Sequence, residues 1–202
     1  METAAWIFLF IMTVVLHEVS HGVVAYALGD PTAKQEGRLS LNPLRHVDPF
    51  WTVILPVILF FSTHGRFAIG MAKPVPVDFS KLHKPKRDMI WVGLAGPAVN
   101  IILAFIFSLF WKATGHDLML YGVYLNLGLA LFNLIPIPPL DGSRIMAGLL
   151  PGIWARRYLI IERFGFAIII LLYLMGWLFR ILLPVIDFFC SRFGVPALSA
   201  NL

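Results

Sequence analysis

The chain is dominated by long uncharged runs separated by short polar stretches. Thr3–Leu28 is apolar and helical in character, broken only by His17, Glu18, Ser20 and His21. Met89–Trp111 carries no charge between Asp88 and Lys112, and Leu118–Leu140 carries none between Asp117 and Asp141. About 20 apolar residues suffice to cross a bilayer as a helix, so each of these runs is long enough. Gly115 makes the link between the second and third short, which predicts an antiparallel hairpin. A fourth run, Phe164–Phe179, continues past Arg180 through Ile181–Ile186.

Pro49–Thr63 is shorter and holds Pro56. That length points to a re-entrant or interfacial segment. Around it, Gly37–Leu41 and Phe67–Val77 read as small extended pieces, and Pro74 and Pro76 oppose helix in the second. The pattern therefore predicts one all-α polytopic membrane domain over residues 1–202. It has about four full transmembrane helices, a short re-entrant or interfacial helix and small β-like segments. Ala25-Tyr26-Ala27 imitates a signal-peptidase site, but Glu2 precedes the run and polar residues interrupt it, so it reads as a retained helix.

Composition agrees. Hydrophobic residues make up 59% of the 202 residues and charged residues 13%, with mean hydropathy +0.82. A soluble globule has about 25% charged residues, so that class is excluded, as is a disordered chain. The net charge of +5 comes from 16 Lys and Arg set mostly between the apolar runs. That placement orients loops toward the cytoplasm rather than forming a nucleic-acid face. Cys190 stands alone, which excludes an intrachain disulfide and a Cys-rich metal site.

The chemistry is concentrated in His17-Glu18-Val19-Ser20-His21. Histidines at i and i+4 share one helix face, where both imidazoles can reach one zinc ion. Glu18 beside them can serve as general base. Carboxylates at bilayer depth are costly and usually face an interior cavity. A catalytic zinc normally takes three protein ligands, and Asp141 is the expected third. It ends the run Asn133-Leu134-Ile135-Pro136-Ile137-Pro138-Pro139-Leu140, whose prolines break the helix where a cavity must receive the irregular backbone. The alternative for Asp141 is a cap on a following helix. Asn100 and Asn133, both uncharged donors in apolar surroundings, either bind substrate backbone or an oxyanion, or make interhelical hydrogen bonds.

These motifs resemble the site-2 protease family of intramembrane zinc metalloproteases, in its short prokaryotic branch. The resemblance runs from Val14 to about Gly148. It includes Gly37-Arg38-Leu39-Ser40-Leu41-Asn42-Pro43, Ala72-Lys73-Pro74-Val75-Pro76-Val77 and Gly96-Pro97-Ala98-Val99-Asn100. It implies one zinc held by His17, His21 and Asp141, with Glu18 as catalytic base and transmembrane proteins as substrates. Ser143 stands where a second Gly is common, and no PDZ or CBS domain is expected. The competing functions are a membrane metal or ion transporter and an inactive homologue that only binds membrane proteins. The cytoplasmic membrane is the expected location. The N-terminus should lie outside and the zinc nearer the cytoplasmic face.

Overall fold

The computed structural model describes residues 2–62 and 72–201. In chain order the helices are α1 (Glu2–Ala27), α2 (Thr32–Gln35), a π-helical segment Pro49–Ile54 leading into α3 (Leu55–Ser62), α4 (Pro85–Thr114) and α5 (Asp117–Asn133). They continue with α6 (Asp141–Leu149), α7 (Gly152–Leu159), α8 (Glu162–Leu174) and α9 (Trp177–Phe193). Short 3₁₀ turns cover Pro43–His46, Phe79–Lys81 and Leu198–Asn201.

The bundle is polar inside and apolar outside. Thr13, His17, His21, Asn100, Ser108 and Asn126 are buried, while Phe8, Phe110 and Leu174 are exposed. That inversion suits a lipid surround, where buried polar groups must pair within the protein. Two helices, Thr3–Ala27 within α1 and Pro85–Thr114, are long and apolar enough to cross a membrane. The pair α8 and α9 supplies a third candidate if its two halves, bent by 77°, form one span.

Among the described residues, length and composition support two to three of the about four spans expected. The run Leu118–Leu140 is not one helix: α5 stops at Asn133, 17 residues after it starts. Pro136, Pro138 and Pro139 force the remainder into turns. The fourth run breaks at Met175-Gly176, where Gly176 takes φ +70°. No strand is present among the described residues, so the expected extended segments are coil; 63–71 lie outside those residues. Gly115, at φ +65°, caps α4 and turns the chain directly into α5. That hairpin is as predicted.

The segment between α1 and α4 begins and ends at the same end of the bundle. His83 N donates to Leu28 O at 2.9 Å, and Asp78 N to Asp30 Oδ2 at 2.7 Å. The helical part of this excursion has six residues in Pro49–Ile54 and eight in α3. At about 1.5 Å per residue it falls short of a bilayer core about 30 Å thick. The chain thus leaves α1 and enters α4 on one side. Further along, α1 and α4 run antiparallel, with His21 facing Val92 and His17 facing Asn100.

Asp30 is the knot of this return. It is fully buried and also accepts from Thr32 N at 3.0 Å and Thr32 Oγ1 at 2.5 Å. Burial alone would raise its carboxyl pKa, but the Thr32 hydroxyl and amide, the Asp78 amide and Lys81 together hold it below the usual range. A depressed folded pKa makes the tie stabilising above the unfolded value of about 3.9, and this stabilisation is lost as the pH falls through the folded value. Asp30→Ala is expected to cost about 2 kcal/mol at neutral pH, the scale of hydrogen bonds to a charged group. Thermal melts in detergent should show the variant and wild type converging as the pH drops below about 3.9. A gap that widens in acid contradicts this.

Candidate metal centre

The site forms where α1, α4 and the start of α6 meet. On α1, Thr13, His17 and His21 recur every fourth position and so share one stripe. Two buried glycines of α4 let its neighbours approach: Gly93 faces Asp141, Arg144 and Ile145 of α6, and Gly96 faces the stripe. Gly96 is the closest point. A methyl built there overlaps His21 Nε2 and His17 Cε1 and lies 2.6 Å from His17 Nε2.

Each imidazole is tied through Nδ1. His21 Nδ1 donates to the Val92 carbonyl at 2.6 Å, which turns Nε2 toward the site. His17 Nδ1 lies 2.5 Å from Asn100 Oδ1. The two Nε2 atoms are 3.2 Å apart. Asp141 Oδ2 lies 3.1 Å from His17 Nε2 and 3.3 Å from His21 Nε2. The sequence left Asp141 as ligand or cap. It sits as the first residue of α6, after Leu140 in the capping position, and its carboxylate pairs with the two histidines. Its carboxylate turns inward to the histidines, because the proline turns of 134–140 bring the chain back into the bundle.

His17, His21 and Asp141 offer three ligand atoms that all lie within 4.8 Å of one another. Two imidazoles and a carboxylate are the donor types zinc takes in open catalytic sites. The residues present therefore fit the metal. The Asp141 side chain keeps 21% of its exposure, so the centre is not sealed on that side.

Glu18 stands outside this trio. Its Oε2 accepts from Val75 N at 2.9 Å. Pro74 and Pro76 have no N–H, so Val75 is the sole backbone donor of that short stretch. The stretch is pinned from both sides. Lys73 N donates to His46 O at 2.8 Å, and Arg38 Nη2 donates to Lys73 O at 2.8 Å and to Pro74 O at 3.3 Å.

The model for peptidase family M50 matches residues 110–176, which include Asn133 and Asp141. A Bacillus subtilis protein, "Putative zinc metalloprotease YwhC", is 36% identical over 191 residues, covering 88% of this chain and 83% of that protein. The chain belongs to the M50, or site-2 protease, family. Rip2 of Mycolicibacterium smegmatis, described in the same words, is 29% identical over 192 residues, covering 89% of this chain and 71% of that protein. Among solved structures, none matches significantly.

The two asparagines of this M50 protein part company. Asn100 is fully buried and both ends of its amide are engaged, by His17 and by Asn126 Oδ1 at 2.8 Å. Asn133 donates from Nδ2 to Leu129 O at 3.0 Å, within its own helix. Asn126 and Thr13 were missed in the sequence, although both belong to the same network. Asn126 Nδ2 reaches Gly122 O at 2.9 Å and Thr13 Oγ1 at 3.3 Å. The signal was available: Asn126 is an amide in the middle of an apolar run, and Thr13 precedes His17 by one turn.

Proposed function

We propose that this M50 protein is a membrane-embedded zinc metalloendopeptidase that hydrolyses peptide bonds in or near transmembrane segments of other membrane proteins. The observation that carries this reading is the convergence of His17 Nε2, His21 Nε2 and an Asp141 oxygen, with both Nδ1 atoms already engaged elsewhere. These three residues would hold one zinc ion. Bound there, zinc supplies Lewis acidity, polarising the scissile carbonyl and bringing the pKa of a water toward about 7.

Glu18 is the general base. Val75 N donates to Glu18 Oε2 and so holds the carboxylate in place. The side chain takes the proton of the attacking water and passes it to the leaving amine. A helical substrate hides its peptide bonds in its own hydrogen bonds and must unwind locally before it can present a carbonyl here. Asn133, beside the proline turns, is the remaining candidate for contact with the unwound backbone; its Oδ1 is not used by the bond to Leu129. The separation of Glu18 from the ligand trio favours hydrolysis over transport, since a carrier has no use for a base held beside its ligands.

Glu18→Gln tests the assignment. Zinc content should stay at the wild-type level while cleavage of single-span model substrates falls about 10²–10⁴-fold, the contribution of a positioned base. Full activity in the variant would overturn the role of Glu18.

Orientation follows from charge. Lys34, Arg38, Arg45, Lys73, Lys81, Lys84, Lys86 and Arg87 lie in or next to the segment that leaves α1 and returns at α4. The positive-inside rule assigns that end to the cytoplasm, the N-terminus to the outside and Pro49–Ser62 to a re-entrant or interfacial position. In a Cys190→Ser background, Ser40→Cys and Ser80→Cys are expected to react with a membrane-impermeant thiol reagent from the same, cytoplasmic side. Labelling from opposite sides refutes this topology.

A further inference from the structure

A direction of hydrogen donation runs through the buried amides, and it is set far from the metal ligands. The oxygen and nitrogen of an Asn amide have nearly the same shape, so their orientation has to follow from a partner of fixed character. Gly122 O is such a partner, because a carbonyl only accepts. Asn126 lies 2.9 Å from it and must present Nδ2. The second hydrogen of Nδ2 is directed to Thr13 Oγ1 at 3.3 Å. Asn126 Oδ1 is thereby turned toward Asn100 and accepts from Asn100 Nδ2 at 2.8 Å. The remaining atom of that amide, Asn100 Oδ1, faces His17 Nδ1 at 2.5 Å and can only accept. Rotating either amide would set oxygen against oxygen at Gly122 or between the two side chains. Asn100 and Asn126 are both 0% exposed and Thr13 is 2% exposed, so solvent does not substitute for any partner.

We propose that Asn126 and Asn100 are positioning residues for His17: they hold its Nδ1 as the donor to Asn100 Oδ1, so that Nε2 is the atom turned to the metal site. His21 needs only the Val92 carbonyl for the same result. His17 obtains it through two side chains on two other helices, and Asn126 contacts neither a metal ligand nor the catalytic base. The inference rests on His17, His21 and Asp141 being the zinc ligands. Partners of this kind that orient a metal-ligating His typically contribute about 10–100-fold to metal affinity.

The test uses the full chain in detergent, titrated with zinc against a chromophoric chelator, with ¹⁵N-labelled histidine observed by NMR in the zinc-loaded protein. In the wild type, His17 is expected as one tautomer with a protonated Nδ1. Asn100→Leu should weaken zinc binding about 10–100-fold. Asn126→Leu should leave Asn100 free to rotate, give a mixture of His17 tautomers and weaken zinc binding measurably. A merely structural amide would lower the melting temperature and move neither the tautomer nor the zinc affinity. Wild-type tautomer and affinity in Asn126→Leu overturn the proposal. If that variant does not fold, a wild-type His17 protonated on Nε2, or an Asn100→Leu protein with undiminished zinc affinity, overturns it equally. Asp141→Ala is the control. If it binds zinc like the wild type, the ligand assignment fails, while the tautomer measurement still decides the role of the amides.

Discussion

Asp141→Ala should abolish both zinc retention and cleavage while the helix bundle stays folded. The carboxylate approaches both Nε2 atoms, at 3.1 and 3.3 Å, while Leu140 holds the capping position of α6. Losing the carboxylate therefore removes one of three metal donors without changing the capping residue of α6. Two imidazoles alone do not complete the three-ligand set of an open zinc site. Metal analysis of purified protein should give a zinc content near zero, with helical circular dichroism unchanged. Cleavage of single-span model substrates should fall to background, as it should for wild type treated with phenanthroline. Added zinc should restore only the wild type. A variant that keeps both zinc and activity would make another residue the third ligand.

Gly96→Ala is expected to be as damaging through packing alone. Alanine is a better helix former than glycine by about 1 kcal/mol, so α4 itself should be stabilised. The added methyl, however, occupies space held by both imidazoles, with His17 Nε2 only 2.6 Å away. Neither ring can retreat cheaply, because each is anchored through Nδ1, to Asn100 and to Val92 O. Zinc affinity should drop by about a hundredfold or more, beyond the usual cost of losing an outer-shell partner. Helix content should be unchanged or slightly higher. Chelator competition together with circular dichroism separates this from unfolding, and unchanged zinc affinity would show that the helices can move apart at Gly96.

Local patterns carried most of the site. His17, Glu18 and His21 are legible because one helical stripe fixes their relation, whatever else the chain does. Asp141 is legible as a carboxylate at a proline break, but its turn toward the histidines depends on how residues 134–140 fold back, which spacing does not reveal. The spans were harder to read. Hydropathy measures where a run stays apolar and not where its helix stops; in Leu118–Leu140 the prolines marked the break, and the helix ends at Asn133. The extended stretches failed differently. Val75 looked like part of a strand, yet Pro74 and Pro76 deny it a ladder, and its one amide serves Glu18 instead. The return of the chain at His83 to the end of α1 depends on contacts between distant segments and leaves no periodic trace.

The buried hydrogen-bond chain from Thr13 through Asn126 and Asn100 to His17 also has a biosynthetic side. Its members come from α1, α5, α4 and α1 again, so no single inserted helix contains a finished metal site. When α1 first emerges, its Thr13, His17 and His21 stripe has no partner of its own chain. The stripe is satisfied only after α4 and α5 have been made and packed beside it. Metal capture is therefore a late event in maturation. By mass action, an ion that binds only the assembled bundle adds its binding free energy to that assembly.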